Sequence, residues 1–489
     1  MTFLSPYEAF GLLAGFAAAM LLLVSFLQRG SGDQTRERFL AANRTVHWFN
    51  AAMSMAVTWV WAPAVFIASL QAYTKGIAGA FWFIAPNILC FFFFAPLAIR
   101  LRRLMPEGFT LPEFIMRRFH GHIGAHCTFL FVFFGYQLGA LVINALAGGI
   151  LLSLLTGLSF PIAVLAMASA ALSYSLISGL EASIYTDVIQ MLMVVLIAFF
   201  LVPLTIMQAG GMGSVLGGMS GVTGEFGNIF HPGVAFAFGI PMTIGLLSGP
   251  FGDQMFFQRA FAVRQHDIIR TFVIAGFLFG LVPILLSMFG FIAANPTFGI
   301  AISDPQMVAP IVIAHFLPHW ALLLFTLMAF SALASTIDSA YCALSSLGAI
   351  DLYQRYVNRH PTQREIVRIS RMVMIGTATL GTGIALFRPE LLWVFLIYGA
   401  LASASLFPTI LSLCWNRVTA KGAAWGVGLS LLIGLPLSIY ANITERETLI
   451  VIAALVSVLI GGIVTSLSAL MNQNNIFDFS EIGTEETGV

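Results

Sequence analysis

Charged side chains are scarce in this sequence of 489 residues. Asp, Glu, Lys and Arg make up 9% of it and apolar residues 59%, whereas soluble domains carry about 25% charged residues. The mean hydropathy is +0.94. These values exclude a soluble globular fold and predict an all-α integral membrane protein in contact with the lipid bilayer. The net charge of +1 gives no indication of a nucleic-acid partner.

Residues that build disulfides and metal sites are also few. The four cysteines lie in apolar segments without CxxC spacing, which favours plain packing over a disulfide framework or a zinc site. The histidines form no HExxH pattern. The first apolar segment begins almost at Met1 without a basic leader, so we expect a retained helix and not a signal peptide. We expect no enzyme and no organic cofactor.

Long apolar runs are abundant and predict about 13 transmembrane helices. The run at 309–347 is longer than one span requires, so we expect it to begin with a tilted or broken part. The runs lie at residues 7–27, 47–70, 77–99, 123–153, 160–179, 185–207, 233–256, 271–294, 309–347, 370–387, 391–414, 422–441 and 448–470.

The basic residues predict the orientation. An outer N-terminus places 19 of the 22 basic residues, Arg259 among them, in inner loops and only Lys75, Arg388 and Arg446 in outer loops. This is the bias that the positive-inside rule requires. We therefore predict a multi-pass protein of the plasma (inner) membrane with a cytoplasmic C-terminus. Residues 472–489 are acidic and predict a short, solvated cytoplasmic tail.

Two of the apolar runs contain helix-breaking residues. The second contains Pro63 in TWVWAPAVF, and the seventh contains LLSGPFGDQ, in which Gly249, Pro250 and Gly252 precede Asp253. Proline removes a backbone donor and clashes with the preceding turn, which frees backbone groups around Trp59. Isolated breaks are often simple kinks. Two breaks five helices apart favour an inverted-repeat transporter with its site at the breaks.

A polar face interrupts the ninth apolar run. On a helix, Ala332, Ser335, Thr336 and Ser339 share one face, and Asp338 lies on its flank. Hydroxyls can simply bond to carbonyls one turn earlier and help helices to pack. They can also bind a small hard cation, together with freed backbone carbonyls. An acid within the membrane favours the functional interpretation.

Three ordered motifs carry a family resemblance. They are SLISGLEASIYTDVIQ at 175–190, SALASTIDSAYCALSSLGAIDLY at 331–353 and CWNRVTAKGAAWG at 414–426. They resemble the corresponding motifs of the sodium:solute symporter family, and the resemblance covers nearly the whole chain. It implies a LeuT-type fold with a first helix and inner loop at 1–46, inverted repeats at 47–208 and 233–414, and two further helices at 415–471.

The resemblance also implies cation sites. The main sodium site would use the backbone carbonyls of Val57 and Val60 with Ala332, Ser335 and Thr336. A further site in some members corresponds to Asp187, Asp338 and Ser339, but those members carry a hydroxyl where this chain has Asp338. If Asp187 and Asp338 approach each other, one of them should hold a proton, because two like charges are costly in a low dielectric. The coupling ion is therefore expected to be sodium or a proton.

Local motifs are most similar to the urea active transporter branch of that family, at residues 58–83 and 251–262. Trp59 and Trp61 beside the first break would narrow a central cavity to suit a small neutral solute, although both indoles could instead face lipid or fill a packing gap. Polar residues near the breaks are further candidate solute contacts, or else plain interhelical hydrogen bonds: Gln137, Asn144, Ser248, Asp253 and Gln254.

The sequence thus predicts a secondary active transporter that couples inward sodium or proton flow to uptake of a small polar solute, with urea as one candidate. Two alternatives stay within the family, a proline-like amino acid or a monocarboxylate as solute. An alternative of another class is a membrane solute sensor that does not transport. A hydrolase is disfavoured because the buried acids have no nucleophile or metal motif beside them.

Overall fold

The computed structural model describes residues 3–29, 34–302, 304, 307–389, 391–472 and 476–484. The regular elements that these residues form are helices, apart from one parallel bridge between Val46 and Val263. The main helices are α1 (Pro6–Gln28), α2 (Trp48–Trp59), α3 (Ala62–Leu104), α4 (Leu111–Arg118), α5 (Ile123–Thr156), α6 (Phe160–Ser178), α7 (Leu180–Gln208), α8 (Ile240–Gly252), α9 (Gln254–Ala262), α10 (Ile268–Ala294), α11 (Val308–Phe316), α12 (His319–Ser346), α13 (Gln363–Leu386), α14 (Leu391–Cys414), α15 (Ala420–Leu429), α16 (Leu435–Ile443) and α17 (Glu447–Met471).

Each of the thirteen predicted runs has a helical counterpart. Within the described ranges, twelve helices are long and apolar enough to cross a membrane. One of them lies within α3, which bends at Lys75 (φ −122°, ψ 18°) and Gly76 (φ 52°, ψ −148°) and so covers the end of the second run and all of the third. The run at 309–347 begins with the separate short helix α11, as expected from its length.

Both predicted breaks are confirmed. Helix α2 ends at Trp59, and α3 restarts at Ala62 with Pro63 in its first turn, where a missing N–H costs nothing. Helix α8 ends at Gly252, and Asp253 is extended (φ −105°, ψ 106°) before α9 begins. The two breaks therefore place non-helical backbone inside the helical bundle.

Small residues allow the helices to approach closely. A Cβ atom at Gly290 of α10 would lie 2.2 Å from the carbonyl oxygen of Ser69 on α3, and one at Gly276 would lie 3.2 Å from that of Ile88. Such contacts are typical of membrane helices, whose association depends on close packing. Helix α12 lies deep in the bundle, since every residue from 328 to 351 is buried. Its polar face therefore points to other helices and not to lipid.

The C-terminal tail differs from the expectation that it is solvated. Ile482 is buried, and the backbone N–H of Phe477 donates to the carbonyl of Asn416 at 3.0 Å. The guanidinium of Arg118 lies 4.1 Å from the ring centroid of Phe477 and 5.2 Å from that of Phe479. Aromatic residues between the acidic ones thus hold residues 477–482 against the bundle through cation–π and apolar contacts.

Candidate cation and solute sites

The first break brings backbone oxygens to the polar face of α12. The N–H of Val60 bonds to the carbonyls of Ala56 (3.2 Å) and Val57 (2.9 Å), which closes the last turn of α2. The Thr336 hydroxyl donates to the Thr58 carbonyl at 3.0 Å and to that of Ala332 at 3.3 Å. The Thr58 carbonyl, which lies between the predicted ligands Val57 and Val60, therefore contacts the part of the predicted site on α12. Carbonyl and hydroxyl oxygens are of the kinds that hard cations prefer.

Ser335 connects this region to a second cluster. Its hydroxyl donates to Oδ1 of Asp187 on α7, and Ser54 of α2 donates to Oδ2 of the same carboxylate at 2.6 Å. Asp338 accepts hydrogen bonds from Ser183 at 2.7 Å and from Ser339 at 3.3 Å. Asp187, Asp338 and Ser339 are thus brought together, as predicted.

Arg259 is the member of this cluster that sequence reasoning missed. It was expected in an inner loop, but it lies on α9 with no exposed surface. Its Nη2 is 3.1 Å from Oδ2 of Asp187 and 2.5 Å from Oγ of Ser339, and its Nε is 3.3 Å from Oγ of Ser54. The assignment to a loop failed because α9 turns back into the bundle after the break at Asp253.

Hydroxyl groups in this cluster donate hydrogen bonds to both acids, Asp187 and Asp338. Three of the four carboxylate oxygens of Asp187 and Asp338 accept a hydrogen bond from a serine hydroxyl. Oδ2 of Asp338 lies 3.5 Å from the Thr186 hydroxyl, which is closer to the Ser183 carbonyl at 2.9 Å. Buried charges are tolerated only when they are paired and hydrogen-bonded in this way. Arg259 supplies one positive charge against two acids.

A cavity of about 350 Å³ lies on the other side of the first break. Its inner part is lined by Trp59, Trp61, Tyr136, Gly249 and Tyr398, and it extends between α8, α14, α16 and α17. Tyr136 and Tyr398 stack with ring centroids 3.6 Å apart. The lining is largely apolar, with scattered hydroxyls and one amide, and this composition suits a small neutral solute.

Gly249 of α8 makes room for the aromatic wall. A Cβ atom there would lie 2.8 Å from Cη2 of Trp59 and 3.1 Å from the hydroxyl oxygen of Tyr136. Real Cβ atoms do not tolerate the shorter of these distances, so a side chain at 249 would force the Trp59 indole, part of the cavity wall, to shift.

The polar solute candidates divide into two groups. Asn144 caps α3 by accepting the Ala62 N–H at 2.9 Å, Ser248 donates to the Ile244 carbonyl at 2.7 Å, and Gln254 donates to the Phe109 carbonyl at 2.8 Å. These three make structural hydrogen bonds and do not line the cavity. Gln137 donates to Asp253 at 2.6 Å, and these two residues do not line the cavity either.

A match to a protein-family model assigns the chain to a family. The model described as the sodium:solute symporter family matches residues 39–430, which is most of the sequence. The chain belongs to this family. The symporter is 25% identical to the urea-proton symporter DUR3 of Oryza sativa subsp. japonica, over 96% of this chain and 71% of that protein. It is 26% identical to the sodium/glucose cotransporter of Vibrio parahaemolyticus, over 84% of this chain and 80% of that protein.

A solved structure agrees on the fold. The symporter matches a Na⁺-coupled sialic acid symporter with a TM-score of 0.77 at 18% identity, over 95% of this chain and 98% of the other. The LeuT-type fold is therefore confirmed, and the family assignment makes this chain a membrane transporter. The exact repeat boundaries at 47–208 and 233–414 stay a prediction.

Proposed function

We propose that this symporter couples inward flow of sodium or a proton to uptake of a small polar solute, with urea as the leading candidate. The proposal rests on one turn of backbone, which contains Thr58 and Trp59. The Thr58 carbonyl accepts a hydrogen bond from Thr336 on the cation side, and the next residue, Trp59, lines the cavity on the solute side. An ion held by this turn and a solute held against Trp59 would each favour the same arrangement of the break, and this is the basis of coupling.

The proposed main cation site consists of Val57, Val60, Ala332, Ser335 and Thr336. Backbone carbonyls and hydroxyls suit a sodium ion, because it is a hard cation that takes oxygen ligands. Ser335 donates its proton to Asp187, which leaves the lone pairs of its oxygen free to bind a cation. The second proposed site, for another cation or a proton, is formed by Asp187, Asp338 and Ser339.

Two independent observations favour urea as the solute. The wall of the cavity is made by Trp59, Trp61, Tyr136 and Tyr398, which gives flat apolar surfaces without a fixed charge. The relative from Oryza sativa is named as a urea-proton symporter. A neutral planar solute with both donors and an acceptor fits such a site. A proline-like amino acid or a monocarboxylate would need a charged partner that the cavity lining does not supply.

The proposal includes the orientation and excludes a catalytic role. We place the symporter in the plasma (inner) membrane with its N-terminus outside and its C-terminus in the cytoplasm, on the distribution of basic residues. No reaction is assigned to its buried acids, because two of them are engaged with hydroxyls and Arg259.

Uptake into proteoliposomes tests the proposed function. Purified protein is reconstituted, and labelled urea, proline, a monocarboxylate and a sugar are offered with an imposed sodium gradient, an imposed pH gradient, or neither. We expect gradient-driven accumulation of urea alone. Accumulation of another solute would replace urea in the proposal, and binding without any uptake would favour the sensor alternative.

A further inference from the structure

Asp253 occupies the second helix break, at the start of α9. Its Oδ1 accepts the backbone N–H of Met255 at 2.7 Å and the side-chain N–H of Gln137 at 2.6 Å. Asp253 and Gln137 are both fully buried. One carboxylate oxygen therefore has two donors, and the two side chains are held against each other by a short hydrogen bond.

The remaining oxygens of this pair have no donor. Oδ2 of Asp253 and Oε1 of Gln137 are both buried, and neither has a hydrogen-bond partner in the part of the chain that the structure describes. A buried acceptor without a donor is costly, and a buried anionic one more so. A single proton on Oδ2 turns that oxygen into a donor, and the carbonyl of Gln137, whose amide nitrogen already donates to the same carboxylate, is an acceptor without a donor. One proton can therefore satisfy both atoms.

Among the residues that the structure describes, no cation forms an ion pair with Asp253. The titratable and charged side chains that interact electrostatically with it are Tyr136, Cys90, Tyr398 and Arg259. The first three are neutral in their ordinary forms. The fourth is the guanidinium that is already bound to Asp187 at 3.1 Å. Asp187 and Asp338 differ from Asp253 because a hydroxyl group lies within 3.5 Å of each of their carboxylate oxygens.

We propose that Asp253 carries the coupling proton on Oδ2, with Gln137 as its hydrogen-bond partner. This inference rests on the proposed function, since a coupling proton requires a transporter. It also goes beyond that function, because it selects the proton and places it at the second break, away from the α12 cluster. Binding converts the carboxylate to a carboxylic acid, and release to the cytoplasm restores the carboxylate, so one proton moves in each cycle.

The position explains how the proton would be linked to the solute. Tyr136 precedes Gln137 and lines the cavity, and Gly249 lines it one turn before Asp253. Neutral Asp253 removes the cost of an uncompensated buried charge one turn from the cavity wall when a neutral solute displaces water there. Solute binding and protonation therefore favour each other.

Two measurements on Asp253→Asn test the proposal. The first is infrared spectroscopy of the reconstituted protein, in which a protonated carboxylic acid gives a carbonyl band separate from the amide and carboxylate bands. The second compares accumulation driven by a pH gradient with solute counterflow, which needs no gradient. The matched control is Asp351→Asn, which removes another buried acid with one unpartnered oxygen but lies far from the cavity, 3.2 Å from His126.

We expect Asp253→Asn to lose part of the carboxylic-acid band and all accumulation driven by pH, while it keeps counterflow, because the amide mimics the protonated acid. Asp351→Asn should keep the accumulation. Gln137→Glu should move the half-maximal pH of uptake to a higher value, since a second carboxyl would hold a shared proton more tightly. The Gln137→Glu variant tests the proposal even if Asp253→Asn fails to fold.

Three results would overturn the inference. They are a wild-type protein that accumulates solute with sodium and shows no pH dependence, an Asp253→Asn protein that still accumulates solute on a pH gradient, and an Asp253→Asn protein that has lost counterflow as well. The last result would show that solute movement itself needs the Asp253 carboxyl, whether or not a proton drives it. All three leave the symporter function standing, whereas a wild-type protein without any gradient-driven uptake would remove that function itself.

Discussion

The guanidinium of Arg259 lies 3.1 Å from the carboxylate of Asp187, and both side chains are completely buried. The pair links α9, directly after the second break, to α7, and Ser54 and Ser339 extend it to α2 and α12. Arg259 thus holds together the helices that carry the proposed cation sites. The Nη1 atom of Arg259 has no hydrogen-bond partner among the described residues, so its N–H groups remain available to a further acceptor.

Removal of the guanidinium should destabilise the protein strongly. Arg259→Gln leaves Asp187 buried and without its cation, and we expect a loss of about 3–5 kcal/mol in stability, as for other broken buried pairs. Thermal unfolding in detergent measures this loss. The double variant Arg259→Gln/Asp187→Asn should recover part of it, because the uncompensated charge is gone. Arg264→Gln, at a residue exposed on the surface, is the control, and equal unfolding temperatures for Arg259→Gln and this control would contradict the prediction.

Loss of the two hydroxyls on α12 should remove ion dependence. Ser335→Ala/Thr336→Ala deletes two oxygens from a proposed site that has few others, so we expect ion-stimulated transport to be abolished in an inserted, folded protein. The control is Ser331→Ala, one turn earlier on α12, where the hydroxyl bonds to the Leu327 carbonyl at 2.9 Å. If the double variant retained its full dependence on a sodium or proton gradient, the site assignment would be wrong.

Local backbone chemistry made the breaks predictable from the sequence. Pro63 and the Gly249–Gly252 region act on their own turns, so their effect does not depend on the rest of the fold. The polar face of α12 was predictable for the same reason, since helical periodicity alone places Ser335, Thr336 and Ser339 together. What these groups bind stays a prediction.

Arg259 and the isolated polar residues needed the tertiary structure. A basic residue after an apolar run satisfies the positive-inside rule whether it reaches the cytoplasm or turns back into the bundle. A buried Asn or Ser likewise has the same sequence context whether it contacts solute or a carbonyl of its own helix, as Ser248 does. The apolar residues around Arg259, in MFFQRAFA, were the available signal that this helix does not lie in a polar loop.

A methyl group at Gly249 should obstruct the cavity. In Gly249→Ala the new Cβ would lie 2.8 Å from Cη2 of Trp59, so we expect the indole to move and solute affinity to fall, with a steric cost of about 1–3 kcal/mol. Gly245→Ala is the matched control, because this glycine also lines the cavity on α8 but has no atom within 4 Å of a new Cβ. KM values for uptake measure the difference, and equal values would show that Trp59 does not limit the solute site.

Cysteine labelling tests the orientation. The exposed Cys127 and Cys414 are first replaced by serine, and a cysteine is then introduced as His122→Cys or, separately, as Glu225→Cys. We expect a membrane-impermeant reagent added outside intact cells to label position 225 and not position 122, as the distribution of basic residues predicts. Labelling of position 122 from outside would reverse the topology.

Asp338 is the position at which this chain departs from the pattern that the family resemblance implies for a second cation site, where a hydroxyl is expected. It accepts hydrogen bonds from Ser183 and Ser339 inside the cluster that Arg259 completes. Because it lies among the hydroxyls that surround Asp187 and Arg259, we expect its charge to serve the cation side of the mechanism, while Asp253 serves the proton side. Asp338→Asn keeps the size of the side chain and removes the charge, so apparent sodium affinity should fall with little change in the pH response.

Uptake and counterflow by Asp338→Asn, measured across pH and sodium concentration, separate the two roles of this acid. Loss of accumulation driven by pH with counterflow preserved would move the proton from Asp253 to Asp338, because the amide would then mimic the protonated acid at this position. If uptake and counterflow depended on pH and on sodium concentration as in the wild type, Asp338 would have no role in the mechanism. It would then be a hydrogen-bonded structural acid between α7 and α12. Asp338→Ser restores the hydroxyl that the related site carries, and a recovered sodium affinity in that variant would show that a cation, and not a proton, occupies the cluster.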